Sequence, residues 1–392
     1  MRLAAVTGRA LAFATSLVTV ASCGSRTGLF GVEPGAAGEG GVGSTSIDAS
    51  RDASRDAPEE AAVPCVPGKF DLDRGFAQLV FVIDRSGSMD FSLTTDDDPL
   101  PGEPTRWQAL RGALSQALAP FDGEIAFGAK FFPEPFAVSL VRDGCFVDTG
   151  VAVPPKLSNL ASILAAYDAY DPRGGTPTTE AIRAAAELVK ARRGVARTLV
   201  VATDGAPNCN SALDPNNCVC TAPSTPGGPC AASSPNDGAN CLDDVQTVEV
   251  VRQIYENRKI PVFVVGIGVT GGFAPTLDAM ALAGGRPRST APHYYPAETP
   301  AELSSAFTVV RDSVAKCSYV TPSAPNDPDL IDITIDQKPI ARDPTHVDGW
   351  DWIDQEYGQL QLFGSACAAA NAQNVDGTVV CERPDASIGS DR

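Results

Sequence analysis

The chain has 392 residues, enough for one large or two modest domains with a sizeable core. Its 48 acidic against 30 basic side chains give a formal charge of −18, which argues against nucleic acid and against electrostatic docking on anionic lipid. The 11 cysteines point to an oxidising compartment, and the two histidines, His293 and His346, leave little material for histidine-based catalysis.

The chain opens "MRLAAVTGRALAFATSLVTVASC": Arg2 and Arg9, a short apolar run, then small residues. This is an export-signal pattern, with an apolar run too short for an ordinary transmembrane helix. "VASC" (Val20 to Cys23) resembles a bacterial lipobox, which implies removal of residues 1–22 and a lipid on Cys23. The resemblance places the chain at the outer membrane or cell surface, membrane-attached through its N-terminal lipid. An ordinary secretory signal, with a periplasmic or secreted product, is the competing reading. Residues 23–64 are rich in Gly, Ala, Ser and Asp, carry the near-repeat "DASRDASRDAPEE" and lack apolar periodicity, so they read as a disordered tether.

From Phe76 to Lys316 strands and helices alternate. "QLVFVID" is a buried strand, and the loop after it carries Asp96, Asp97 and Asp98, a solvated acidic stretch rather than a second cation site. "PTRWQALRGALSQALAPF" is an amphipathic helix and "IAFGAKFF" a strand. "LSNLASILAAYDAY" and "TPTTEAIRAAAELVKARR" are helices, the second ending in a basic turn that suits the helix dipole. "RTLVVATDG" and "IPVFVVGIG" are strands separated by the helix "DDVQTVEVVRQIYENR". A helix at "APTLDAMALAGG", a short strand at "HYYPA" and the helix "PAELSSAFTVVRDSVAK" complete the series. The pattern predicts a doubly wound α/β fold around a mostly parallel sheet flanked by helices. Residues 318–392 differ: short strand-like segments separated by Pro and Gly predict a small β-rich extension of three or four strands.

In an open parallel sheet, ligands bind beyond the carboxyl ends of the strands. Asp84 sits at such an end, followed by Ser86 and Ser88. Thr176 follows the glycines of "DPRGGTPTTEA", and Asp204 closes the strand in "VVATDGAPN". Asp84, Ser86, Ser88, Thr176 and Asp204 are all hard oxygen donors, a set that suits Mg²⁺ or Mn²⁺, with Ca²⁺ as a further candidate, rather than Zn²⁺.

"DRSGS", "GGT" and "TDG", in this order within an α/β pattern, resemble the three loops of a von Willebrand factor A (vWA) domain. The resemblance covers about residues 77–316 and places the domain at 65–317. It implies a metal-ion-dependent adhesion site in which Ser86, Ser88 and Thr176 bind the ion through their hydroxyls. Asp84 and Asp204 would act mainly through water or as outer acceptors. A partner protein's Asp or Glu would supply the last oxygen. The resemblance also implies a short antiparallel strand at one sheet edge.

Residues 208–242 form a Cys-rich insertion directly after Asp204, holding Cys209, Cys218, Cys220, Cys230 and Cys241. It is expected to overhang the metal-bearing face, where it could select ligands. Without a C-x-x-C pair or a nearby His, disulfides are favoured over zinc. Because the ends of the related domain lie close together, the resemblance implies a pair between Cys65 and Cys317. Cys367 and Cys381 flank one loop and are paired here. The insertion's odd number then calls for Cys145 as an outside partner.

No G-x-S-x-G elbow or His-bearing triad is present, so the chain is read as a binding protein and not an enzyme. The leading expectation is an envelope lipoprotein that binds protein partners through a metal-bridged carboxylate. The alternative is a structural or assembly subunit of the envelope whose metal only stabilises the fold.

Overall fold

The computed structural model describes residues 62–382 apart from 96, 135–142, 149–152, 193, 222–229, 231–237, 269–270 and 371–373. The signal segment, Cys23, nearly all of the tether and Asp96 lie outside the described residues. No helix among the described residues is long and apolar enough to cross a membrane.

Two short strands, β1 (Gly68–Asp71) and β2 (Asp73–Arg74), precede β3 (Phe76–Asp84). In β3, Leu79, Phe81 and Ile83 fill the core on one face, while Val80 and Val82 fill the core on the other. A strand covered on both faces is what an unbroken apolar run encodes. Helix α1 (Arg106–Leu118) starts at a capping box: Thr105 accepts from Gln108 N–H, and the Gln108 side chain accepts from Thr105 N–H. Next come β4 (Ile125–Phe132), β5 (Val153–Lys156), α2 (Leu160–Asp168), α3 (Thr178–Glu187) and β6 (Val195–Thr203). Helix α3 stops at Glu187, so Lys190 and Arg192 fall beyond it and not in its last turn. Its end tightens into i→i+3 bonds from Leu188 and Val189 to Ala185 and Ala186, which closes the helix early.

After the insertion come α4 (Asp244–Arg258), β7 (Val262–Ile267), α5 (Ala274–Ala283), β8 (Tyr295–Ala297) and α6 (Pro300–Cys317). The central sheet runs β5-β4-β3-β6-β7-β8, with β5 antiparallel to β4 and the other neighbours parallel. Helices α1, α2 and α6 pack on one face around Phe81, Phe127 and Phe307; α3, α4 and α5 cover the other around Val82, Val201 and Val264. The α/β class expected from the sequence is what the chain forms. With β3, β6 and β7 side by side and parallel, the loops after β3 and β6 emerge at one edge of the sheet.

The remaining strands are β9 (Ser318–Val320), β10 (Ile331–Ile335), β11 (Lys338–Ile340), β12 (Gly349–Asp354), β13 (Gln359–Phe363) and, after α7 (Gly364–Ala370), β14 (Val375–Val379). They make two four-stranded antiparallel sheets, β1-β14-β10-β11 and β12-β13-β9-β2. One core joins them: Leu72, Ile333 and Val379 from the first side meet Tyr319, Trp350 and Leu360 from the second. The extension of three or four strands is therefore a larger β-sandwich, and the domain start drawn at residue 65 moves to about Gly75. The α/β module is inserted between β2 and β9. The reason is pairing: Gly68 to Asp71 bond along β14, and Asp73 and Arg74 along β9.

That topology also corrects two disulfides. Cys65 pairs with Cys381, and Cys317 pairs with Cys367. Cys65 enters beside β1, whose ladder partner β14 ends just before Cys381. Cys317 closes α6 against the sandwich core, to which Cys367 on α7 also packs. Between the two layers, Arg197 on β6 donates to Asp354 on β12 at 2.9 Å, both side chains being buried.

Candidate metal centre

Three loops meet at the carboxyl edge of the parallel sheet. The first follows β3. Asp84 is wholly buried; its Oδ1 accepts from Ser86 N–H at 2.8 Å, and its Oδ2 accepts from the Thr203 hydroxyl at 2.5 Å. Both carboxylate oxygens are thus aimed by the chain's own donors. The short 3₁₀ turn Gly87–Asp90 then carries Ser88 back toward Ser86, with the two Oγ atoms 3.1 Å apart.

The second loop follows β6. Asp204, also buried, accepts from Ser88 Oγ at 3.0 Å through Oδ1 and from Arg106 Nη1 at 2.8 Å through Oδ2. Arg106 further donates to the carbonyls of Thr95 and Ser88. The third loop is 171–176. It docks on the first by backbone bonds: Arg173 N–H to Arg85 O at 2.7 Å, and Gly87 N–H to Gly174 O at 3.1 Å. Thr176, at 5% exposure, is held from the far side by Asn208, whose Oδ1 accepts from Thr176 N–H at 2.7 Å. All five residues singled out in the sequence fall at this edge. Ser86, Ser88 and Asp204 form one chain of side-chain contacts; Asp84 joins it through Ser86 N–H and Thr203, and Thr176 through its loop.

Burial, and next the charge of Asp204, push the Asp84 carboxyl up to about 7. Asp204 is likewise raised by burial, opposed by the Arg106 guanidinium and the Ser88 hydroxyl. Two buried carboxylates with a single guanidinium paired to one of them leave a site short of positive charge. Such a donor set of hydroxyls and carboxylates fits a hard divalent cation and offers nothing to a soft one.

Sequence reasoning missed Arg106, Thr203 and Asn208. Arg106 did leave a signal: a cation in the first turn of a helix opposes the helix dipole, so it needs another reason to be there. Arg85 in "DRSGS" faces away from the carboxylates, donating to Pro133 O at 2.5 Å and to Asp171 O.

The insertion is stapled to this edge. Cys145 pairs with Cys209, Cys218 with Cys241, and Cys220 with Cys230. The sulfurs of Cys218, Cys230 and Cys241 lie within 4.8 Å of one another, and all are spent in disulfides.

Residues 79–206, which contain all three loops, match the family model of the von Willebrand factor type A domain. Over those residues the fold is similar to that of a vWA domain. Solved structures similar to the chain include the PilB minor pilin from Streptococcus sanguinis, at 19% identity and a TM-score of 0.43, covering 62% of each chain. The pilus adhesin SpaC from Lactobacillus rhamnosus GG is 14% identical over 80% of this chain and 42% of its own, with a TM-score of 0.42. A von Willebrand factor type A protein from Catenulispora acidiphila is 11% identical, covering 82% of this chain and 63% of its own, with a TM-score of 0.40. The chain thus spans less than two thirds of each of these proteins. No curated protein matches it. The match ends at Ala206, so the Cys-rich insertion and the flanking β-sandwich lie outside it.

Proposed function

We propose that the vWA domain binds a protein partner through a divalent cation, Mg²⁺ or Mn²⁺, held at the edge of β3 and β6. The observation that carries this reading is the run of contacts from Ser86 Oγ through Ser88 Oγ to Asp204 Oδ1, set beside the buried, uncompensated Asp84. Ser86, Ser88 and Thr176 would hold the ion through their hydroxyls, with Asp84 and Asp204 supplying negative charge around them. A cation bound there offers an electrophilic position that an outside Asp or Glu carboxylate can fill. Arg106 sharpens this preference, because its charge cancels that of one site carboxylate and leaves the bound ion a net positive field. On this reading the site binds a partner and performs no reaction of its own.

Export follows on the same reading. The five disulfides fit an oxidising compartment, and the N-terminal pattern fits lipid attachment at Cys23, with residues 24–64 as the spacer. The partner is then another envelope or surface protein.

The test has two arms. Isothermal titration of the full chain with Mn²⁺ should show one site that Asp84→Ala abolishes. Capture of partners from envelope extracts should require Mg²⁺, be lost in EDTA and in Asp84→Ala, and be competed by acidic peptides. Partner capture undiminished in EDTA sinks the proposal; a Mn²⁺ site that stabilises the fold without any competable partner favours the purely structural role.

A further inference from the structure

The insertion leaves the fold immediately after Asp204, where it reads most simply as a cover over the ligand face. Its described contacts are different. Asn208 makes two bonds to Thr176: its Oδ1 accepts from Thr176 N–H at 2.7 Å, and its own N–H donates to Thr176 O at 2.9 Å. Its Nδ2 is in turn fixed by Thr221 Oγ1 at 2.9 Å, and that hydroxyl bonds to Asn240 O at 2.9 Å. The next residue, Cys209, sits at φ 74°, a conformation that side-chain-bearing residues seldom adopt and that surrounding structure must hold. It is held by Cys145 through the disulfide and by a bond from its N–H to Ala239 O at 2.7 Å.

Packing makes this a clamp on the GGT loop. Gly175 N–H donates to Gly144 O at 2.7 Å, one residue before the disulfide. A Cβ on Gly175 would stand 2.7 Å from Cys209 Sγ and 2.9 Å from Asn208 Oδ1; one on Gly174 (φ 88°) would stand 2.7 Å from Gly144 O. Three backbone segments, 143–145, 173–176 and 208–209, therefore cross at contact distance. The return end of the insertion adds a second hold. Asn210 donates to Asp243, which accepts from Thr179 at the start of α3, three residues past Thr176.

We propose that Asn208 and the Cys145–Cys209 disulfide are positioning elements of the cation site: they fix Thr176 where its hydroxyl can reach the ion. The site is then complete only in the oxidised chain. This inference rests on the cation reading above. Outer partners that orient metal ligands typically contribute ten- to a hundredfold in affinity, and a similar share is expected here.

The experiment compares Mn²⁺ affinity, by calorimetry and by electron paramagnetic resonance of free Mn²⁺, across variants of the full chain. Melting temperature in EDTA is recorded for each. Asn208→Ala, and Cys145→Ser combined with Cys209→Ser, should each weaken Mn²⁺ binding roughly ten- to a hundredfold. Asn208→Asp, which keeps an acceptor for Thr176 N–H, should bind close to the parent. Cys218→Ser combined with Cys241→Ser removes a disulfide further out in the insertion and should leave affinity unchanged. Unchanged affinity in the first two variants overturns the inference. So does an equal loss in the outer-disulfide variant, because general order of the insertion would then explain the effect. A parent chain that binds no Mn²⁺ fails earlier, at the cation reading itself.

Discussion

Arg106 and Asp204 form an ion pair of 2.8 Å in which neither side chain keeps more than 2% of its surface exposed. The pair crosses from the first turn of α1 to the end of β6 and closes one side of the proposed cation site. Removing one partner of a buried pair strands the other charge, at a typical cost of about 3–5 kcal/mol. Arg106→Met should therefore lower the unfolding free energy in EDTA by about that amount, read from urea denaturation. Millimolar Mg²⁺ should restore part of the loss, because the cation supplies charge where the guanidinium stood. A variant as stable as the parent in EDTA would show that the pair contributes no net stability.

Asp84 supplies a pH signature with an unusual sign. Its folded-state value of about 7 lies above the ordinary 3.8, raised by burial and by Asp204. The folded chain therefore holds this proton more tightly than the unfolded chain does. Its contribution is fully present below the unfolded value and is lost as pH rises toward about 7. The slope is at most about 1.4 kcal/mol per pH unit. Other carboxylates act in the opposite direction, so the useful quantity is the difference between the parent and Asp84→Asn, both in EDTA. That difference should favour the parent near pH 4.5 and shrink steadily toward about pH 7.5. A difference that does not change with pH would mean that Asp84 is ionised throughout.

Arg197 and Asp354 tie the α/β module to the sandwich at 2.9 Å, with Arg197 also donating to Arg258 O at 3.1 Å. Burial lowers the arginine's affinity for its proton and raises that of the aspartate, so desolvation opposes the charge pair on both sides. Arg197→Met alone should destabilise by about 3–5 kcal/mol, while Arg197→Met with Asp354→Leu should recover most of that. A double-mutant cycle in guanidinium chloride measures the coupling; additive losses would mean that the two charges act independently.

Parts of this architecture were legible because they are local. The run "QLVFVID" is apolar without alternation, so a strand buried on both faces follows, and the Asp that ends it must stand at a sheet edge. Asp204 at the end of "RTLVVATDG" was readable in the same way, and Thr176 from the Gly-rich loop that opens a helix. Arg106 was not: a cation in a helix's first turn hints that it has a partner, but that partner lies 98 residues on and nothing local names it. Asn208 was hidden in a Cys-rich run whose composition suggests a loop and nothing about Thr176. Strand β2 is two residues long and β1 four, too short for any periodicity, so the sandwich they complete was invisible. With it went the pairings of Cys65 and Cys317, which depend on which strands are neighbours.

The sandwich supplies the last prediction. Residues 318–382 contain six of its eight strands but lack β1, β2 and Leu72, which packs in the shared core at 7% exposure. Without β1, β14 would present an unpaired edge beside β10, and without β2, β9 would do the same beside β13. The fragment alone should be expanded and should melt without cooperativity. Gly75 N–H meets Ser318 O at 3.1 Å, so the two ends of the sandwich that flank the α/β module are already adjacent. A chain joining residues 62–75 to 317–382 through a short Gly-Ser linker should therefore fold, forming Cys65–Cys381 and Cys317–Cys367 on oxidation. Circular dichroism melts and the fluorescence of Trp350 and Trp352, both buried in this core, separate the two fragments. Cooperative melting of 318–382 by itself, with the tryptophans shielded as in the joined chain, would show that β1 and β2 are dispensable.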